Sequence, residues 1–555
     1  MSNPYPSEIY DAIVVGSGAN GGVAAKELSE RGLKVLVLEA GRAIDPQVEL
    51  GHEVRDMAKR FYNLAISKRQ SHQALHPGYW KANPDLYIDE KENPYSTPPD
   101  KPFYWTRGRQ VGGKSLTWGG ITLRLSDYEF KAASRDGHEQ DWPISYKDLA
   151  PYYSELERFF KVRGERNGLA QLPDGEYQPT LPLTPAELHF KAVVEKHWSD
   201  RCLIPSRGFS LHRSTAAEPW APSSSQGSSL KAAIATGNVT LRSDAVVSHI
   251  LFDPNTRKAR GVGYIDRISK TSHEVFGRTV VLCASTIESV RILLHSTERY
   301  QSGGLLDTSG TLGRFLMDHV STSTFFFLPG IKDSTKSYDL SGCDSFFIPC
   351  FCNLASQQED FLRGYGIWGG IQRFPAIPNV FRKVGEGAIG FMVAHGEVLP
   401  RYHNRIQLSP DVVDAWGIPV PHIECAWSDN EHRMLTHMHS QIDAAIALAG
   451  GKSMKLADMF RIPIFSDFVH RKESDMAFSA PPGYYIHEVG GARMGTSASN
   501  SVVNDRNQCW EAPNLFVTDG ACWPSAGWQS PTLTEMAITA RASAFIADEI
   551  GKGKF

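Results

Sequence analysis

Gly16-Ser17-Gly18-Ala19-Asn20-Gly21 has the glycine spacing that holds a pyrophosphate. Gly16 permits a tight turn out of a strand, Gly18 lets the backbone approach the phosphates, and Gly21 lets a helix pack closely on a sheet. The start of that helix offers unpaired N–H groups and a positive dipole end. Glu39 follows about twenty residues on, where a carboxylate accepts hydrogen bonds from ribose hydroxyls. A second stretch, Arg107 to Gly120, has five glycines in fourteen residues. So much glycine suggests backbone pressed against a flat ligand or a second phosphate site. Near the other end, Asn514 to Thr518 is an apolar strand running into Asp519-Gly520, and Pro531-Thr532 opens a helix, again a place where backbone amides meet an anionic group.

These residues need particular elements to position them. Tyr10 to Val15 is a short run rich in β-branched residues that reads as a buried strand. Gly22 to Arg31 reads as a helix ended by Gly32, and Lys34 to Leu38 as a second buried strand ending at Glu39. Strand, loop, helix and acidic strand end together make a dinucleotide-binding unit. It does not by itself separate FAD from NAD, although a glutamate at the ribose disfavours the extra phosphate of NADP. Further strands are expected at Asn238–Arg242, Ala245–Ile250 and Arg278–Leu282. From about Thr322 to Asp475 the composition shifts to aromatic-rich strands such as 345–348 and 365–368, then a helix from Asn430 to Gly450.

The fold expected is α/β, a Rossmann-like nucleotide-binding domain beside a second α+β domain built on an antiparallel sheet. Residues 1–50, 102–165, 228–321 and 476–555 are assigned to the first, 166–227 and 322–475 to the second, and 51–101 to an insertion or lid. Gln372, Arg373 and His395 can face a substrate, but ordinary structural or surface roles are expected of them. The serine run 223–229 is expected to carry no chemistry.

At 555 residues the chain exceeds what one core supports. With 58 basic and 61 acidic residues and a net charge of −3, it has no basic field for nucleic acid or anionic membrane. No stretch approaches the ~20 apolar residues of a membrane span. No export signal is read in the first residues, and eight cysteines without a Cys-x-x-Cys pair fit a reducing cytoplasm. Cys343, Cys350 and Cys352 match no usual metal spacing and are expected as buried thiols on strands.

The Arg107–Gly120 stretch resembles the segment that runs along the isoalloxazine ring in the glucose–methanol–choline (GMC) oxidoreductases. Asp141-Trp142-Pro143-Ile144, Cys283 to Glu288, Gly313 to His319 and the C-terminal block Tyr485 to Gly495 carry the same resemblance. The Asp-Trp-Pro-Ile segment is similar to the branch of pyranose oxidases and sugar or glycoside dehydrogenases.

The resemblance implies FAD, with the second domain roofing the flavin. It places Gly16, Ser17, Gly18, Asn20, Gly21, Glu39, Arg109, Gly112, Gly113, Ser115, Thr117, Trp118, Gly119, Val247, Asp519, Gly520, Pro531 and Thr532 at the cofactor. Thr117 stands where covalently flavinylated pyranose oxidases have a histidine, which implies non-covalent FAD. Residues 212–240, where some relatives carry an iron–sulfur insertion, have no cysteine.

His487 matches the family's catalytic histidine. An alcohol oxidised by hydride loss must also lose its hydroxyl proton, and imidazole suits that base role. The position before Pro531 is normally His or Asn in the family. Here it is Ser530, preceded by Gln529, so either of these would orient the substrate.

The leading expectation is oxidation of a CH–OH group in a sugar, glycoside or related alcohol. The electron acceptor would be oxygen, a quinone or a partner protein, and an oligomer is possible. The alternative is a lyase or a flavin-binding protein of reduced activity on the same scaffold. A nicotinamide-linked enzyme would need a second strand–GxGxxG–helix unit, and none is seen.

Overall fold

Ile9–Val15 and Val35–Leu38 pair in parallel, Ala12 opposite Val35 through Val15 opposite Leu38, and neither is bare on a face. Continuous apolar runs suit such strands because both faces of a parallel sheet are covered. The computed structural model describes residues 9–49, 69–73, 84–209, 218–300, 307–331, 344–373, 383–455, 458 and 480–555. In spatial order the sheet runs Gln508–Cys509, Ala512–Val517, Ser272–Leu282, Ile9–Val15, Val35–Leu38, Val239–Arg242. Ala245–Asp253 and Lys258–Asp266 form an antiparallel extension from Ser272–Leu282.

The helices Ala19–Glu30 and Thr532–Gly551 pack against each other. The first begins at Ala19, not Gly22. Glycine's poor helix propensity argues for a later start, but close packing overrides it. A Cβ on Gly21 would fall on the Gly16 carbonyl, and one on Gly22 on the Ser229 hydroxyl. The glycines therefore belong in the first helical turns because nothing larger fits.

A second sheet, entirely antiparallel, has the order Lys452–Met454, Val320–Pro329, Gly387–Gly396, Tyr365–Ile371, Phe346–Ile348, Ile204–Pro205. The helix Asp429–Leu448, started by a Ser428/Glu431 capping box, covers one face. The helix Pro185–His197 is anchored there by Glu187 and Arg373, which form a buried ion pair at 2.7 Å. Phe190, Phe326 and Phe346 stack between that helix and the sheet, each ring adding about 2–3 kcal/mol by burial.

The two sheets meet through the C-terminal loop. A Cβ on Gly366 would lie against Trp528 at 2.6 Å, and Trp528 packs on Phe347 at 5.7 Å. Trp142, of the Asp-Trp-Pro-Ile segment, buttresses this loop from the other side, 5.1 Å from Trp523 and donating its indole N–H to the Ser525 hydroxyl at 2.8 Å.

The strands Arg405–Val413 and Pro419–Glu424, inside the span expected for the second domain, pack instead on the first. Trp416 at their turn buries against Ala40, Val246 and Ile265. Of the expected insertion, residues 51–68 and 74–83 lie outside the described residues. The described part grips the second glycine stretch, Gln73 accepting the Arg107 N–H at 2.8 Å and donating to the Trp105 carbonyl at 3.0 Å.

Candidate active site

The nucleotide end is a knot of small residues. Gly16 has φ +100°, and a Cβ there would fall on the Cys283 carbonyl, so the Cys283–Glu288 segment packs directly beneath the turn. Gly18 differs, because a Cβ there would meet only the Gly112 carbonyl at 4.0 Å. The space in front of Gly18 is open, as a phosphate-bearing ligand requires. Glu39 turns inward: Oε2 accepts from the Ser17 N–H at 3.1 Å and hydroxyl at 2.6 Å, and Oε1 from the Gly41 N–H at 2.9 Å. Burial raises its pKa.

The second glycine stretch closes on the first. Gly112, at φ +95°, donates its N–H to the Ser17 hydroxyl at 3.0 Å, and Ser115 bonds the Gly112 carbonyl at 2.6 Å. The serine run, expected to carry no chemistry, is built into this end. Ser225 donates its hydroxyl to the Ser17 carbonyl at 2.8 Å and its N–H to the Ser115 hydroxyl at 2.9 Å. Ser223 accepts the Trp118 indole N–H at 3.2 Å. Low-complexity serine works here because small hydroxyls let three backbone loops touch while each loop's polar groups stay paired.

Gly113, Thr117, Trp118 and Gly119 stay partly exposed, a glycine-rich wall open on one side. Arg109 projects away from that wall to Asn93, Glu288 (3.3 Å) and the Trp416 ring (5.2 Å). Val247 is buried in the core, its carbonyl accepting from Arg291 at 3.2 Å.

At the C-terminal end, Asp519 is fully buried, accepting from the Ser289 hydroxyl and from the Ala521 N–H at 3.1 Å. Gly520 packs against Thr286, Glu535 and the Glu488 carbonyl. The helix after Pro531-Thr532 has no side-chain cap, leaving its first N–H groups available. Asn20 reaches this helix and donates to Glu535 at 2.8 Å, joining the helices Ala19–Glu30 and Thr532–Gly551.

His487 sits in a loop gripped by Asp318, whose Oδ1 accepts the His487 N–H at 3.0 Å and whose Oδ2 accepts the Gly483 N–H at 2.7 Å. Burial, then Glu488, raises the Asp318 pKa to about 7. Gly490 and Gly491 have φ +91° and +102°, and a Cβ on Gly490 would fall on the Phe315 carbonyl. The glycine pair after His487 thus lets Gly313–His319 lie alongside. Burial lowers the His487 pKa to about 3, with His395 and Lys114 adding to the effect, so its imidazole is neutral at physiological pH. Lys114, from the second glycine stretch, pairs with Glu488 at 3.3 Å.

Two further histidines stand beside it. Ring centroids are 4.8 Å apart for His319 and His487, 5.4 Å for His319 and His395, and 6.0 Å for His395 and His487. Nδ1 of all three is buried without a partner among the described residues. His319 and Asp318 lie in a segment that resembles the family, so the sequence held a signal for them. His395 lies 92 residues before His487 with no local motif, and only the fold brings the two together. Of the other expected site residues, Gln529 is fully buried near Leu125 and Glu129 around Gly527, whereas Ser530 is partly exposed. Gln372 and Arg373 are buried, Arg373 in its ion pair with Glu187.

Cys343 lies outside the described residues; Cys350 and Cys352 are buried just past the strand Phe346–Ile348, not on it. Cys352, Glu359 and His437 bring ligand atoms within 4.8 Å of one another, but the Tyr365 hydroxyl already holds His437 Nδ1 at 3.0 Å. No helix among the described residues is long and apolar enough to cross a membrane.

Two family models described as GMC oxidoreductase match residues 205–321 and 400–539, and one described as an NAD(P)-binding Rossmann-like domain matches 14–44. The chain is similar to 2-methyl-1,2-propanediol dehydrogenase of Mycolicibacterium austroafricanum, 26% identical over 97% of this chain and 95% of that protein. It is also similar to the fructose dehydrogenase large subunit of Gluconobacter japonicus, 26% identical over 98% of each. Among solved structures, pyridoxine 4-oxidase from Mesorbium loti superposes with a TM-score of 0.61 at 19% identity, covering 97% of this chain and 99% of that one.

Proposed function

Since this chain belongs to the GMC oxidoreductases, and is therefore an FAD-dependent enzyme, we propose that it oxidises a CH–OH group of a sugar, glycoside or related polyhydroxylated alcohol, with His487 as the base. The residues present fit FAD: the open space at Gly18, the glycine wall from Gly112 to Gly119 and the uncapped helix after Pro531 support its binding there. Bound FAD supplies a hydride acceptor. Everything else falls to the chain. The observation that carries the reading is a neutral His487 imidazole beside that glycine wall, its loop held by Asp318 through the His487 backbone N–H and its ring without a hydrogen-bond partner among the described residues. As the substrate C–H electron pair leaves, the hydroxyl proton passes to the His487 ring, and the alcohol becomes a carbonyl.

Of the two loop candidates, Ser530 suits contact with substrate because it is open to solvent and Gln529 is sealed. Thr117, whose hydroxyl donates to the Lys114 carbonyl at 3.3 Å, offers no imidazole for a covalent flavin link, in keeping with non-covalent FAD. The named activities of the diol and fructose dehydrogenases support a polyhydroxylated substrate.

Anaerobic flavin bleaching by a panel of sugars, glycosides, polyols and simple alcohols tests the reading. His487→Ala is expected to keep FAD and slow reduction by about 10²–10⁴-fold. Full-rate reduction by that variant would remove the base assignment. Cyanohydrin cleavage without reduction by any alcohol would favour a lyase. Turnover in air against turnover with a quinone dye separates oxidase from dehydrogenase.

A further inference from the structure

We propose that His395, on the second sheet, supplies the hydrogen bond to the substrate oxygen that position 530 of the C-terminal loop gives up. The proposal rests on the alcohol-binding reading above. His395 is on the strand Gly387–Gly396, directly opposite Gly366 of Tyr365–Ile371. Directly opposed residues of an antiparallel pair point to the same face. A Cβ on Gly366 would lie against Trp528, so His395 leaves the sheet on the side of the Trp528–Ser530 loop.

The ring lies 6.0 Å from that of His487, and both residues are partly exposed, whereas His319 is 3% exposed and backs the two. With hydrogen bonds of about 2.7–3.0 Å, one hydroxyl oxygen can bridge two imidazoles at such a separation. Neither ring has a hydrogen-bond partner among the described residues. A neutral imidazole has one donor and one acceptor. His487 accepts the hydroxyl proton; His395 donates its N–H to the same oxygen. That donated bond strengthens as charge builds on the oxygen, the task a His or Asn before Pro531 would perform. Serine at 530 is shorter and leaves the task to the opposite wall.

The test uses the flavin-loaded enzyme and tert-butanol, a hydroxyl compound with no hydrogen on its carbinol carbon and therefore not oxidisable, titrated against flavin absorbance. His395→Ala is expected to retain FAD and weaken tert-butanol binding about fivefold or more. It is expected to slow anaerobic reduction by substrate about 100-fold, and His395→Gln, which keeps an N–H donor, to recover most of the binding. Ser530→Ala is expected to show the smaller loss in both measurements. Wild-type-like tert-butanol binding by His395→Ala, a larger loss in Ser530→Ala, or a wild-type enzyme whose flavin does not respond to tert-butanol would overturn the proposal. If binding follows His395 while no alcohol reduces the flavin, the oxidation reading fails and the hydroxyl site stands.

Discussion

Ile486, immediately before the proposed base, has φ +62°, a conformation a β-branched residue rarely adopts. It is held there because Asp318 grips the N–H groups of Gly483 and His487 on either side. Strain of this kind, of order 1–2 kcal/mol, marks a loop held to one geometry. Ile486→Gly is expected to change stability by under about 1 kcal/mol, as relief of strain offsets lost burial, while slowing flavin reduction by loosening His487. Thermal melting and single-turnover reduction measure the two effects. The glycines of the first loop separate in the same way. Gly21→Ala, driven into the Gly16 carbonyl, is expected to cost about 3 kcal/mol of apoprotein stability. Gly18→Ala is expected to leave the apoprotein within about 0.5 kcal/mol while weakening FAD binding, because its methyl enters only the ligand's space. Because the His487 pKa is lowered to about 3, flavin reduction in Asp318→Asn, which removes the loop's own group titrating at about 7, is expected to stay flat from pH 8 down to about 5. A rate that halves near pH 6.5 would instead point to an ordinary, solvated imidazole.

Elements far apart in sequence are joined by buried polar contacts. The helix Pro185–His197 rests on the second sheet through Glu187, whose carboxylate takes two bonds from Arg373 and the Ile371 N–H at 3.1 Å. Removing one partner leaves a buried charge unpaired. Glu187→Ala is expected to cost about 3–5 kcal/mol, read as a lowered urea midpoint, without direct loss of FAD contacts. The strand Gly387–Gly396 runs beside Tyr365–Ile371 in the same sheet, so this anchor also fixes the height of His395 over His487. The helix Tyr146–Phe160 braces the C-terminal helix from outside, the Tyr153 hydroxyl meeting that of Thr534 at 2.7 Å.

Across the molecule, buried acids and buried histidines respond to pH in opposite directions. Burial raises Asp318 to about 7, Asp519 to about 6 and Glu535 to about 7. An acid with a raised folded pKa binds more protons folded than unfolded, so its contribution is complete below about pH 4 and is lost as pH rises through 6–7. His487 and His395, lowered to about 3 and about 4, contribute above 6.5 and lose that contribution as pH falls toward 4. Apoprotein stability is therefore expected to peak between these limits. Glu535→Gln, which keeps an oxygen for Asn20, is expected to flatten the fall between pH 5 and 8 and to add about 2 kcal/mol at pH 8. An unchanged melting profile would show Glu535 to be ionised throughout.

The nucleotide loop was legible in the sequence because its constraints are local: Gly16, Gly18 and Gly21 act within one turn, and the flanking strands are continuous apolar runs. His487 was legible through its neighbours Gly490 and Gly491, whose backbone angles demand glycine. Local patterns could not say that the serine run 223–229 closes the phosphate loop, that Gln529 is sealed while Ser530 is open, or that Arg109 turns away toward Glu288. Nor could they bring His395 to His487. That meeting depends on a strand register in one sheet and a loop held by the other, and long-range packing of this sort leaves no periodicity or spacing in the chain.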